Sequence, residues 1–154
     1  MDKNINKFKP IFDSSSSEII LSKIQKKEWN VIFEGLCNIQ NNSVIIDYVY
    51  FKICATKDTY DLILNYLILK IDSILNNKSS FSTYINLKNL TVLEIDKHGQ
   101  FIQHLSGILK DRYPNKLEKC YIYNAPFVFA KIYNIVSRFI DKDTQTKIEL
   151  IDSR

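Results

Sequence analysis

From Asp111 to Leu150 the chain reads DRYPNKLEKCYIYNAPFVFAKIYNIVSRFIDKDTQTKIEL. Tyr113-Pro114 stops a helix, because proline drives the residue before it out of the α region. Lys119 to Tyr123 is a short strand. Asn124 is placed to cap the next helix, and Pro126 suits its first turn, where no intrahelical donor is lost. That helix runs from Phe127 to Ile140, with Lys131, Asn134 and Arg138 as its one polar stripe. A helix so apolar either lies in a core or faces something apolar that is not protein. Asp141 to Thr146 form a turn, and Lys147 to Ile151 a final strand.

The same alternation continues upstream. Ser82 to Lys88 is a strand that puts Thr83, Ile85 and Leu87 on one face and Tyr84 and Asn86 on the other. Asp96 caps a helix whose apolar positions are Phe101, Ile102, Leu105, Ile108 and Leu109. Val44 to Ile53 is β-branched and aromatic on both parities, which predicts a strand buried on both faces. Thr59 to Leu75 is a mostly buried helix with Asp61, Asn65 and Asp72 as a narrow polar stripe. Residues 1–13 form a loose polar arm. Ser15 and Glu18 have capping-box spacing and open a helix with Ile20, Leu21, Ile24, Val31 and Ile32 on its apolar side, broken near Lys27. Gly35 and Asn41-Asn42 end this N-terminal part. The order is helix, then β-α-β-α-β-α-β, so the fold class is α/β with a mostly parallel sheet and packed helices.

Composition narrows the function. The 154 residues are 45% hydrophobic and 25% charged, with only three glycines and three prolines. That describes one ordinary globule without long flexible linkers. Asn, Lys and Ile are abundant, as in an AT-rich coding genome. The net charge of +4 is spread along the chain, with no arginine-rich run among exposed aromatics, so no nucleic-acid partner is expected. The weakly basic balance suits an anionic membrane surface better. Cys37, Cys54 and Cys120 form no CxxC and read as reduced thiols in a cytoplasmic protein. No apolar leader opens the chain, and Tyr60 to Leu75 carries Asp61, Lys70 and Asp72, so neither a signal peptide nor a membrane span is expected.

The chemistry of an enzyme is missing from the pattern. There is no GxxxxGK, GxGxxG or GxSxG. His98 and His104 stand six apart, off the spacing of a helical metal pair, and read as surface or structural residues. Asp141 and Asp143 read as a solvated turn or cap rather than an acid–base pair. No cofactor and no metal are expected.

Read together, YPNKLEK, YIYNAP, FVFAKIYNIVSRFI and DTQTKIEL resemble, in order and without gaps, the motifs of the CRAL-TRIO family of lipid-binding proteins. TYINLKNL extends the likeness upstream, so that Phe81 to Leu150 carries it. The resemblance implies a sheet forming the floor of an apolar pocket, with the helix Phe127 to Ile140 as a gate that swings to admit a lipid and touches membranes during exchange. The floor would be Phe81, Thr83, Ile85 and Leu87. The gate would present Phe127, Phe129, Ile132, Tyr133, Val136 and Phe139. By the same resemblance Lys147 matches the family's phosphate-binding lysine and Asn115 the position of its acidic partner. Thr83 matches one of two head-group hydroxyls, and Phe81 stands at the other. Asparagine at 115 breaks the usual pair, and Phe81 removes a choline contact.

Against the family pattern the N-terminal helical part is reduced to residues 1–42, an arm and a helical remnant. The lipid-binding domain takes 43–154, and its C-terminus is truncated before the helices that brace the gate. The expected function is non-enzymatic binding, with intermembrane transfer, of a phospholipid such as phosphatidylinositol or another small hydrophobic ligand. The protein would be cytoplasmic and peripheral to membranes. The rival expectation is a protein-interaction module on the same scaffold, with a protein partner or homodimer and no working lipid pocket.

Overall fold

A computed structural model of the chain describes residues 8–13, 15–126, 130, 133–134, 137–138 and 140–151. Helix α1, Ser17–Gln25, is capped by Ser16, whose hydroxyl accepts from Ile19 N at 3.3 Å. The cap therefore sits one residue beyond the expected Ser15. Ser15 is held instead by Asp13, whose Oδ1 accepts from Ser15 N at 2.9 Å and Oγ at 2.7 Å. The break near Lys27 is present: Lys27 turns left-handed at φ 60, and α2 follows over Trp29–Leu36.

Strand β1, Cys37–Gln40, has no counterpart in the sequence reading, being short and half polar. It pairs antiparallel with β2, Ser43–Asp47, through a turn in which Asn41 and Asn42 both have positive φ. Two left-handed residues give the primed turn whose twist matches the strands it joins. The strand expected through Ile53 ends at Asp47. The Asp47 carboxylate accepts from Val49 N at 3.1 Å and opens α3, Tyr48–Cys54. A side-chain cap, with burial of Tyr48, Tyr50 and Phe51, outweighs the β preference of this aromatic run.

Helix α4, Tyr60–Leu75, lies where expected and buries Ile63, Leu64, Leu67, Ile71 and Ile74. It exposes Leu62 and Leu69, so its outer face is broader than the polar stripe implied. Strand β3 is Phe81–Asn86. The next cap is Thr91 rather than Asp96. Thr91 Oγ1 accepts from Glu94 N and Thr91 N donates to Glu94 Oε1, a full capping box opening α5, Val92–Lys97. Helix α6, Gly99–Arg112, ends at Tyr113 before Pro114. Asp72 of α4 ties the two long helices, 2.8 Å from Arg112 and 2.7 Å from the Tyr113 hydroxyl.

Strand β4 is Leu117–Tyr123. Asn124, the expected cap, is left-handed, and its amide donates to Asn86 Oδ1 at 2.8 Å. The helix expected over 127–140 lies mostly outside the described residues; within it Ala130, Tyr133 and Asn134 are helical. A short helix α7, Lys142–Gln145, replaces the expected turn and is capped by Asp141, which accepts from Thr144 N at 2.8 Å. Strand β5 is Ile148–Ile151. Among the described residues, five of the six non-glycine residues with positive φ are asparagines: 41, 42, 89, 115 and 124.

The five strands lie in sequence order, antiparallel at β1–β2 and parallel from β2 to β5. This is the mostly parallel sheet that the alternation predicts. Val44, Thr83, Cys120 and Ile148 are register partners in one row, and Ile46, Ile85 and Ile122 in the next. These rows face α4 and α6. The opposite face carries Tyr84 stacked on Tyr121 at 4.7 Å, and Phe8 and Phe12 of the arm meet Tyr84 and Tyr123 edge-on. Ile20, Ile32, Leu36 and Cys37 join α3 and α4 in the main core.

Candidate functional site

The helix-facing rows of the sheet do not close against the helices. A cavity of about 240 Å³ remains between β2–β5 and helices α4, α5 and α6. Its floor includes Phe81, Thr83, Ile85 and Leu87, the residues that strand parity turns inward. Leu87 lies just past β3 but stays in register, since its N–H donates to Tyr123 O at 2.9 Å. The roof is Leu67 and Ile71 of α4 with Ile102, Leu105, Ser106 and Leu109 of α6, and Ile140 and Thr144 stand at the β5 end. The wall is therefore almost wholly aliphatic. Among the described residues, Thr83, Ser106, Thr144 and the Cys120 thiol are its polar groups. Burial pushes the Cys120 thiol up to about 11, against a weaker opposing hydrogen bond with Thr83, so it is neutral and unreactive.

A second lobe of about 160 Å³ shares Ile46, Ile85, Leu87, Leu90, Ile95 and Ile102 with the first. It ends on Tyr48, Phe51, Phe101, Glu94 and His98. This end carries polar chemistry. Burial raises the Glu94 carboxyl, but the Tyr48 hydroxyl at 2.8 Å, the Thr91 N–H and Lys52 at 3.5 Å outweigh it and hold the group below its ordinary value. His98 is 4% exposed and pairs through Nδ1 with the Tyr60 hydroxyl at 2.6 Å. Burial, then the charge of Lys97, lowers its pKa, so the imidazole is neutral near pH 7.

The residues carried over for a lipid head group are not gathered here. Thr83 lies inside the cavity. Lys147 and Asn115 are not among its lining residues; they lie just before β5 and β4 begin. Lys147 Nζ is 3.3 Å from Asp143 Oδ2, and Asn115 is an exposed left-handed turn residue. Of the expected gate, Phe127, Phe129, Ile132, Val136 and Phe139 lie outside the described residues, and Tyr133 is helical and half-buried. The sequence reads His98 as a surface or structural residue; the structure buries it against Tyr60. Its partner Tyr60 is 38 residues away, and nothing in the local pattern marks the pair.

Among the described residues no group of three or more His, Cys, Asp or Glu could hold a metal ion, and no helix is long and apolar enough to cross a membrane.

Comparison with known proteins adds relatives. The CRAL/TRIO domain profile matches residues 26–154. The Sec14 cytosolic factor of Schizosaccharomyces pombe is 32% identical over 71 residues, which are 46% of this chain and 25% of that protein. The SEC14 cytosolic factor of Yarrowia lipolytica is 31% identical over 71 residues, 46% of this chain and 14% of that protein. The matched stretch thus spans a quarter or less of these relatives. The crystal structure of Sfh5 superposes with a TM-score of 0.62 at 19% identity, covering 75% of this chain and 46% of that one, and so shares the fold.

Proposed function

Because the chain belongs to the CRAL/TRIO domain family, we propose that it binds a hydrophobic lipid ligand, without catalysis, in the cavity between sheet and helices. The observation that carries this reading is the aliphatic cavity whose floor is Phe81, Thr83, Ile85 and Leu87. A well-packed domain interior leaves few voids larger than a water molecule. A void this size with almost no polar wall stays dry when empty and favours an apolar guest. Affinity would come mainly from burying chain, about 0.8 kcal/mol per CH₂.

In this reading the protein is cytosolic, meets membranes transiently and exchanges its ligand there, with the segment 127–140 as the gate. Phe129→Asp should then abolish lipid loading, whereas Lys131→Ala should not; equal loading of both variants refutes the gate. Because Lys147 and Asn115 stand outside the lining, the cavity and not this pair supports the proposal.

The deciding experiment is native mass spectrometry of the purified protein, with lipid extraction from the same sample. A stoichiometric lipid adduct is expected, and a phosphoinositide adduct would return Lys147 to the site. A bare mass, unchanged after incubation with mixed liposomes, refutes lipid binding. That outcome would favour a protein-interaction module, for which Leu62 and Leu69 are the supporting feature, 55% and 65% exposed on α4.

A further inference from the structure

We propose that the sheet face opposite the cavity docks an extended segment of a partner protein, in which two aromatic residues four apart are followed by a carboxylate, and that residues 8–13 occupy this surface in cis. The arm shows what the surface reads. Burial alternates along it: Phe8, Pro10 and Phe12 are half-buried, whereas Lys9, Ile11 and Asp13 are exposed. That is the period of an extended chain laid on a surface. Phe8 meets Tyr84 with ring centroids 5.1 Å apart, and Phe12 meets Tyr123 at 5.3 Å. Both pairs are edge-on, a favoured geometry for aromatic rings. Beside the rings the main chain is read. The Gln40 amide accepts from Ile11 N and donates to Ile11 O, at 2.8 Å each. Asn38 Oδ1 accepts from the same Gln40 nitrogen at 3.1 Å and fixes the amide's orientation. The Ile11 side chain points away and is 76% exposed, so the surface reads the backbone at this position and not the residue type.

The carboxylate has a socket. Tyr50 is 1% exposed, and its hydroxyl donates to Asp13 Oδ2 and accepts from Lys23 Nζ at 3.2 Å. Burial raises the Asp13 carboxyl, but Tyr50, Ser15 and Lys23 outweigh it and hold the group below its ordinary value. A hydroxyl backed by an ammonium suits an anion. Asp13, Lys23, Gln40 and Tyr50 line an open groove of about 640 Å³, so the socket is reachable with the arm in place. The arm is lightly held. Among the described residues no backbone–backbone hydrogen bond ties 8–13 to the rest of the chain. Segments of this kind open at the low end of the stability range. The tether presents the arm at an effective concentration of about millimolar, so a partner that also makes contacts elsewhere displaces it. The surface works whether or not the cavity holds a lipid, since the two lie on opposite faces of the sheet.

The probe is a fluorescein-labelled peptide copying residues 8–13 with blocked ends, titrated into the full chain and followed by fluorescence anisotropy. Phe8→Ser with Phe12→Ser frees the arm and leaves the surface intact. The freed chain should bind the peptide about tenfold more tightly than the wild type, whose own arm competes. Adding Gln40→Leu to the freed chain should weaken binding about five- to tenfold, the range of one net hydrogen bond. No binding by the freed chain overturns the proposal, as does equal binding by freed chain and wild type, or a Gln40→Leu without effect. If the freed chain shows no cooperative urea transition, the wild type decides by hydrogen exchange. Unlabelled peptide at about 5 mM, above the effective concentration of the arm, should then speed exchange of the Ile11 amide, and unchanged exchange overturns the proposal. A wild-type dimer that Phe8→Ser with Phe12→Ser dissolves gives the surface to the arm of a second copy and overturns the assignment to a partner.

Discussion

Replacing Asp47 by Asn should change the pH dependence of stability by a calculable amount. Asp47 is 2% exposed at the end of β2. Its Oδ1 accepts from Val49 N at 3.1 Å and from the Asn86 amide at 3.3 Å, while its Oδ2 is buried without a partner among the described residues. Burial, with a smaller push from Asp13, raises the carboxyl from 3.8 to about 6, against the pull of Val49 N–H, Asn86 and Lys88. The folded protein therefore holds this proton more tightly than the unfolded chain. Its stabilising effect is fully present below pH 3.8 and is lost as pH rises through about 6. The gap corresponds to about 3 kcal/mol at most. Carboxyls held low, such as Glu94, Glu34 and Asp72, act in the opposite sense and are common to both proteins. The difference between variant and wild type isolates Asp47. Urea unfolding between about pH 4 and pH 8 should show Asp47→Asn gaining on the wild type by about 2–3 kcal/mol as pH rises, since the amide mimics the neutral acid. Parallel profiles for the two proteins would refute a raised Asp47.

A Cβ on Gly35 would lie 2.3 Å from Tyr50 Cζ, so Gly35→Ala must displace a ring whose hydroxyl bonds Asp13 and Lys23. We expect a loss of about 1–3 kcal/mol in urea unfolding, and restored stability when Tyr50→Leu is added. Ile85→Trp should fill the cavity floor, abolishing the lipid adduct by native mass spectrometry while changing stability by only about 1 kcal/mol; retention of full loading would place the ligand elsewhere. Thr91→Ala removes the α5 cap and should cost about 1 kcal/mol in the same unfolding assay.

How much was legible follows from where each signal resides. Strands β3, β4 and β5 and helices α4 and α6 carry long periodic patterns with breakers at their ends, such as Tyr113-Pro114, and these were read correctly. The helix-facing row of β3 was legible as well, because parity alone separates Thr83 and Ile85 from Tyr84 and Asn86. The misreadings sit where one side chain overrules a run. Asp47 caps a helix within an aromatic, β-branched segment, and Thr91 takes the cap assigned to Asp96. The polar end of the cavity was illegible for a different reason. Tyr60, His98 and Tyr48 are brought together only when α3, α4 and the α5–α6 junction pack.

The left-handed turns have a genetic consequence. The chain is poor in glycine, and among the described residues asparagine holds five of those bends. Asparagine tolerates that conformation better than other residues bearing a Cβ. Asparagine and lysine codons differ only in their third base, so one single-base replacement at Asn41, Asn42, Asn89 or Asn124 gives a residue the backbone resists by about 1–2 kcal/mol. Lys27, left-handed on an exposed bend, is the place where a lysine is accommodated.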